Sequence, residues 1–311
     1  MHPSHTSKVA FVGIILLQLA FAQVASAQAW LPRVGEGTVT ILHQNILARG
    51  HLSPTGVLVG DGPVRSHSVA FDVEYGLTNR VALNVSLPFV TAAYGGPSPH
   101  RLGVHDQPST TDDGTYHGSF QDFRFGVRFN VAARPLVVTP FADVILPSHH
   151  YESRGHAVVG QDLRAVAVGV NLGAFSETVL PGVYIQGQLS HVIVQKVADM
   201  RPNRSRVEAE VGYFASRRLA VRFIESLQIT HGGLDFPYSG LSPELTRNHD
   251  RLSRNNFLNL GGGPVFAINE SLQVSATVSA LTWGQNIHTH RGLGLGLNWH
   301  FRTPRARPPG H

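Results

Sequence analysis

The sequence predicts an all-β protein: a closed antiparallel transmembrane β-barrel of about twelve strands, with short periplasmic turns and longer extracellular loops. Three observations predict it. Apolar and polar residues alternate over many stretches of ten residues or more, the connections between these stretches alternate between long and short, and the chain opens with an export signal. Barrel strands present side chains to lipid and lumen in turn, so a membrane barrel needs no long apolar run.

The first segment, residues 1–27, is predicted to be a cleaved Sec-type signal peptide. Lys8 precedes an apolar run from Val9 to Ala22, and Ala25–Ala27 supplies the small-residue cleavage pattern. A retained membrane anchor is the alternative, but the apolar run is shorter than the ~20 residues that a spanning helix needs. We therefore expect the mature chain to begin near Gln28, with the barrel over 28–301.

Composition excludes several classes of protein. The chain has no cysteine, which rules out disulfides and thiolate metal sites. The net charge is +5, and lysine occurs only at Lys8 and Lys196, so arginine supplies most of the positive charge. These arginines are scattered along the chain, whereas nucleic-acid binding requires them to cluster. We expect no nucleic-acid partner.

The alternation predicts twelve strands, because a period of two places successive side chains on opposite faces. It is clearest from Gly292 to Phe301, where leucine and aromatic residues share one face and glycine, asparagine and histidine the other. Most predicted strands reach the ~9–11 residues that cross a membrane. Their spans are 37–48, 64–75, 80–91, 118–131, 136–146, 162–174, 181–195, 203–214, 218–231, 254–267, 271–284 and 289–301.

The connections predict closure. Long and short connections alternate from the first strand to the tenth, and only the last outer connection, Gln285–His288, is short where a long one is expected. Tight periplasmic turns opposite long outer loops are typical of outer-membrane barrels. An even number of strands returns both chain ends to the periplasm, and pairing the first strand with the twelfth leaves no unpaired edge in lipid.

The alternative to a membrane barrel is a soluble β-protein, in which the two faces of each strand are reversed. A soluble periplasmic sandwich or lipocalin-like barrel would turn the apolar faces inward, with the same alternation. Two observations favour lipid outside: the polar faces carry many charges, which a closed, water-free core would not tolerate, and aromatic residues often stand at the ends of the apolar faces, as in interface girdles. We expect the apolar faces to meet hydrocarbon.

Residues 302–311, rich in proline and arginine, are predicted to form a flexible basic periplasmic tail.

Charged residues on the polar faces are the candidate lumen lining. Either they select solute in an open pore, or they form a structural network of ion pairs that fills a narrow barrel; for any single residue the second interpretation is favoured, since buried charges need partners. The candidates are Asp72, Glu74, Asp122, Arg124, Arg128, Asp162, Arg164, Arg206, Glu208, Glu210 and Arg222.

Histidine supplies a second set of candidates, because imidazole binds Zn²⁺ and Cu²⁺ well. Eleven of the 18 histidines fall on predicted outer loops or strand ends. Their spacing matches no established ligand motif, so solvated loop histidines are the favoured interpretation and no metal or other cofactor is expected. The weak candidates for a metal site are the neighbours His149 and His150 and the pair His288 and His290 on one strand face.

No catalytic motif occurs: the sequence contains no G-x-S-x-G, H-E-x-x-H, P-loop or nucleotide fingerprint. We do not expect an enzyme. The 26-residue connection 92–117 is long enough to fold into or over the mouth of the barrel.

Three segments carry a family resemblance: Leu31–Gly37, Glu74–Arg80 with the strand that follows, and Gly118–Arg128. Over about 30–301 the chain resembles the outer-membrane proteins grouped under the meta-pathway of phenol degradation. The resemblance implies a barrel for passive uptake of small hydrophobic or aromatic compounds. It departs from the family at Leu146–His149, where the family tends to have Pro-Thr-Gly.

The alternative function is a non-transporting surface barrel that displays histidine-rich loops for metal capture, adhesion or structural support. Expected partners are outer-membrane lipid, lipopolysaccharide, a small-molecule solute and the barrel-assembly machinery. Trp299 and Phe301 are the candidate terminal signal for that machinery, although Phe301 lies ten residues before the chain end.

Overall fold

The structure is a computed structural model that describes residues 29–59, 62–96, 110–176, 180–236 and 240–303. The predicted signal peptide, nearly all of the predicted tail and part of connection 92–117 lie outside the described residues. No helix in the described ranges is long and apolar enough to cross a bilayer.

The described residues form fourteen strands and one short helix. The first half of the chain contains β1 (Glu36–Leu52), β2 (Leu58–Val59), β3 (Val64–Gly76), β4 (Val81–Tyr94), β5 (His117–Phe120), β6 (Asp122–Phe129) and β7 (Val137–Pro147). The second half contains β8 (Ala165–Ser176), β9 (Val183–Val194), β10 (Asn203–Phe214), β11 (Leu219–His231), α1 (Pro243–Asn248), β12 (Asn256–Ala267), β13 (Leu272–Gln285) and β14 (Ile287–Arg302).

The strands close into one antiparallel barrel. Each strand pairs with its neighbours in chain order, and β14 returns to pair with β1 from Leu52↔Ile287 to Glu36↔Arg302. β5 and β6 are two parts of one wall strand beside β4, and β2 is a two-residue addition to β1, so the wall contains twelve strands. The predicted twelve-stranded barrel is confirmed.

The apolar faces point out of the barrel, as expected. Leu295 on β14 is 52% exposed and Phe125 on β6 is 42% exposed, whereas Asp143, on the inward face of β7, is nearly buried. This arrangement suits a barrel in hydrocarbon, where apolar side chains lose nothing by facing outward and charges find water and partners inside. At one rim, Phe301 stacks on Tyr75 with ring centroids 6.3 Å apart and contacts Trp299 at 5.5 Å, as in an aromatic girdle.

Connection lengths define the two ends of the barrel. Those at the Tyr75–Phe301 rim are short: 77–80, 130–136, 177–182, 215–218 and 268–271. Those at the other end are long, namely 53–63, 95–116, 148–164, 195–202 and 232–255, except that Asn286 alone joins β13 to β14. Following the asymmetry of outer-membrane barrels, we assign the short turns to the periplasm.

Three of the differences from the predicted strand boundaries have a local structural cause. The predicted strand 118–131 is interrupted at Gln121, where β6 resumes with one extra residue relative to β4, which is a β-bulge. The predicted strand 162–174 begins only at Ala165, because Asp162 has a positive φ of 52°. Arg302, predicted to belong to the tail, is the last residue of β14 and forms an ion pair with Glu36.

Candidate functional site: the lumen and its two mouths

Ion pairs cross the inner wall in the periplasmic half of the barrel. Arg128 lies 2.8 Å from Glu74, and Arg222 lies 3.5 Å from Glu210. The strand register explains both contacts: Arg128 and Glu74 lie on the inward face, on either side of β4, while Arg222 and Glu210 lie on neighbouring strands. Arg206 also donates a 2.9 Å hydrogen bond to Gln228, and Arg124 approaches a carboxylate on β7. Six residues of this inner network were therefore predicted from the sequence: Glu74, Arg124, Arg128, Arg206, Glu210 and Arg222.

That carboxylate belongs to Asp143, which sequence reasoning missed. It lies 3.9 Å from Arg124 and accepts a 3.2 Å hydrogen bond from the amide of Asn84. A second missed residue is Arg204, which donates to Gln161. Both residues could have been predicted from the sequence, because Asp143 alternates with apolar neighbours and Arg204 shares the strand parity of Arg206.

Asp72 and Glu208 also occupy inward positions of the register. Asp72 is paired with Thr40 and Ser86, and Glu208 with Gln188 and Ser226, all on the polar face of their strands. The structure therefore places these two carboxylates on the inner wall, as strand parity predicts.

The prediction for Arg164 is wrong. Arg164 is exposed, precedes the first residue of β8 and shares the parity of Val166 and Val168, which point outward. Asp162 would follow the same parity, but its positive φ turns its side chain away from that face. Its carboxylate is nearly buried beside Arg251, 3.9 Å away, instead of lining a strand.

Part of the inner wall is apolar. On β7–β9 and the segment just before β8, five inward-facing residues form a buried cluster, here called the inner apolar patch: Phe141, Leu163, Ala167, Val192 and Val194. Across the barrel, Ala48, Val64, Ala92 and Tyr94 form a second cluster with Ala157. The inward-facing charges described above, here called the charged belt, share this part of the wall, because the register pairs Val192 with Arg204 and Phe141 with Arg128.

Residues 148–164, here called the mouth loop, reach across the extracellular opening. The loop joins β7 to β8, yet the His156 ring stacks on Tyr94 of β4 at 4.4 Å and contacts the ring of His288 on β14 at 5.2 Å. β14 lies half-way round the twelve-strand wall from β8. The tip of the mouth loop consequently occupies the opening.

A buried carboxylate holds that tip in place. Asp112, from the β4–β5 connection, accepts hydrogen bonds of 2.9 Å from the backbone N–H groups of both His156 and Ala157, and lies 3.4 Å from Nδ1 of His156. Burial opposes the ionisation of Asp112, but the bonds from the His156 ring and from the two N–H groups together hold its pKa below the usual range. The Asp250 carboxylate adds a 2.8 Å bond from the Gly155 N–H.

The base of the mouth loop is fixed by Tyr151. Its hydroxyl donates to the carboxylate of Asp122 and accepts a 2.9 Å hydrogen bond from the N–H of Asp162. Burial, reinforced by the Asp122 carboxylate, raises the pKa of Tyr151. Asp122, a predicted lumen residue, therefore anchors a loop at the extracellular end of the inner wall.

The periplasmic opening is crossed by residues 29–35, here called the N-terminal strap. At one end the N–H of Gly35 donates to the carbonyl of Gly76 at the foot of β3 (2.9 Å). At the other end Thr139 Oγ1 of β7 donates to the carbonyl of Ala29 (2.8 Å), and the Trp30 ring packs on Phe175 of β8 at 4.6 Å. The strap thus runs from β1 to the opposite wall.

The four histidines named as metal candidates do not converge. His149 contacts Ser119 and Ser148, His150 contacts Asp162 at 2.6 Å, and His290 contacts the carbonyl of His288. His288 instead joins His51 and His156, with ring centroids 5.0 and 5.2 Å away. Within the part of the chain that the structure describes, no group of three His, Asp or Glu side chains is arranged to hold a metal ion.

Trp299 and Phe301 lie on the outward face of β14 at the periplasmic rim, and Trp299 is 52% exposed. Their positions suit the girdle described above. Recognition of these residues by assembly machinery stays a prediction.

The fold has relatives among solved structures. A COG4313 outer membrane channel from Pseudomonas putida F1 matches with a TM-score of 0.68 at 11% identity, over 89% of this chain and 100% of that one. The NanC porin matches with a TM-score of 0.50 at 9% identity, over 84% of this chain and 98% of that one. No family model and no curated protein matches the sequence, so the likeness to the phenol meta-pathway group stays an expectation. At these identities the likeness is one of fold: the chain has the fold of outer-membrane β-barrels.

Proposed function

We propose that the protein is an outer-membrane channel for passive entry of small apolar or aromatic molecules. The observation that carries this proposal is the inner apolar patch. Phe141, Val192 and Val194 are covered in the structure by a cluster that includes Leu163 of the mouth loop, and they form an apolar wall for a solute once the loop moves aside. An aromatic ring placed on that wall gains about 25 cal/mol for each Å² of apolar surface that leaves water.

The charged belt lies beside the inner apolar patch along the same path. Several of its arginines and carboxylates are paired with one another, as in Arg128–Glu74 and Arg222–Glu210. Paired charges present a weaker field to a passing solute than free ones, so the belt sets width and polarity more than ion selectivity. An aromatic molecule with one polar substituent fits both zones.

The test is a liposome swelling assay that compares benzoate with the sugar arabinose. We expect faster swelling with the aromatic acid. Replacing two patch residues, Val192→Thr with Val194→Thr, keeps side-chain shape and adds hydroxyls, and should lower the aromatic flux several-fold. Ser190→Thr, one inward position nearer the periplasm on the same strand, is the matched control and should leave it unchanged.

Equal or faster entry of arabinose would contradict the proposal. A barrel sealed to both solutes would favour the non-transporting surface barrel, which the two segments crossing the mouths make the second candidate. In that case the mouth loop and strap would serve as permanent closures.

A further inference from the structure

A basic patch lies on the outside of the barrel at its extracellular end. Arg291 of β14, Leu47 of β1 and Arg65 of β3 are direct neighbours in one row of the register. The next row towards the periplasm brings together Asn45 and His67. The outer basic patch comprises His43, Asn45, Arg65, His67, Tyr116 and Arg291.

These side chains face the membrane and not the lumen. Arg65 and His67 share the parity of Phe71 and Val73, which are 42% and 38% exposed on the outward face. Arg65 lies ten residues above the girdle residue Tyr75 on the same strand. At ~3.3 Å per residue and a tilt of about 40°, that is a height of ~25 Å, the thickness of the apolar band. The patch therefore sits where the outer leaflet's headgroups begin.

The patch is concave. Asn45, Leu47, Arg65, His67 and Tyr116 line a groove of about 290 Å³. The rings of His43 and His67 stack with centroids 6.0 Å apart, and Tyr116 lies 5.7 Å from His67 on the other side. Donor groups from three separate segments thus converge on one recess.

The arginines of the patch differ from the ion-paired arginines of the lumen. Among the described residues, neither Arg65 nor Arg291 lies within ion-pair distance of a carboxylate, whereas Arg128 and Arg222 on the inner wall both do. Asp113, the acidic residue nearest Tyr116 in sequence, is engaged by His117 at 2.9 Å and by Thr115. Arginines at the headgroup level attract anionic lipid groups.

We propose that the outer basic patch binds the phosphate groups of an outer-leaflet glycolipid of the lipopolysaccharide class. Guanidinium groups bind phosphate oxygens through paired hydrogen bonds, and a basic recess beside apolar wall suits an anionic headgroup whose chains lie along the barrel. Below the recess, Ile41, Val69 and Phe71 continue the outward face as apolar surface for acyl chains.

The experiment is lipid binding to the full-length mature protein in detergent, followed by native mass spectrometry. Bisphosphorylated lipid A should bind at least about tenfold more tightly than its dephosphorylated form. The variant Arg65→Gln/Arg291→Gln should lose that preference while keeping the heat-modifiable gel mobility of a folded barrel. The matched control, Arg80→Gln/Arg217→Gln, removes two exposed arginines from periplasmic turns and should keep it.

Two further arms define the ligand. Phosphatidylglycerol should bind more weakly than bisphosphorylated lipid A, and millimolar inorganic phosphate should not displace the glycolipid. Equal binding of the phosphorylated and dephosphorylated forms to the unmodified protein overturns the proposal, and this arm needs no variant. Equal binding of phosphatidylglycerol, displacement by free phosphate, or an equal loss in the periplasmic control also overturns it.

Discussion

Arg128 on β6 reaches across β4 to place its guanidinium 2.8 Å from the carboxylate of Glu74 on β3. The pair ties three wall strands together inside the lumen, with 15% and 22% of the two side chains exposed. Such a contact restrains the curvature of the wall, because it spans two strand spacings where backbone hydrogen bonds span one.

We expect Glu74→Gln to lower the free energy of unfolding by about 1–3 kcal/mol, since it removes the charge-assisted hydrogen bond between this carboxylate and a partly buried guanidinium. Arg128→Gln should cost a similar amount, and the double variant less than the sum. Urea unfolding in lipid vesicles measures the coupling. The exposed pair Lys196–Asp199, 2.7 Å apart in an outer turn, is the control and should show no measurable coupling. Strict additivity at Glu74 and Arg128 would contradict the structural role.

A second prediction concerns the N-terminal strap. Trp30→Ala removes the ring that packs on Phe175, so the strap should leave the periplasmic opening more often and single-channel conductance in planar bilayers should rise. Trp283→Ala, which removes an indole from the outward face of β13, is the control. If both variants conduct like the unmodified protein, the strap does not limit the passage.

Much of this architecture could be predicted from sequence, because strand parity is a local property. Leu295 and Glu74 were assigned to the correct faces, and the barrel closes where the alternation of loop lengths says it must. Strand parity gave the wrong positions for Arg164 and Asp162, because Asp162 has a left-handed backbone conformation that breaks the alternation before β8 begins. The contact between the rings of His156 and His288 could not be predicted from the sequence either. Contacts between segments 132 residues apart depend on how a loop folds over a closed wall, and no periodicity records that.

The hydrogen bonds between Asp112 and the tip of the mouth loop, here called the Asp112 latch, predict that the extracellular mouth opens when this carboxylate is removed. Asp112→Ala leaves the N–H groups of His156 and Ala157 without their acceptor, so the tip of the mouth loop should dissociate from the wall. We expect longer open times and faster swelling with small solutes. Asp113→Ala is the matched control, because this neighbouring carboxylate is exposed and bonded within its own turn. Equal behaviour of the two variants would show that Asp112 does not hold the loop.

The same latch predicts a pH dependence. The pKa of folded Asp112 lies below that of an unfolded aspartate, so its contribution to loop closure is fully present above the unfolded value of about 3.9 and is lost as the pH falls through the folded value. Channel current should therefore stay constant in this respect from neutral pH down to about 4 and rise only in stronger acid. Asp112→Ala should abolish that acid step while leaving any change near pH 6 to 7, where histidines titrate, in place. An acid step of the same size in the variant would assign it to other carboxylates, among which Asp122 beneath Tyr151 is the next to replace.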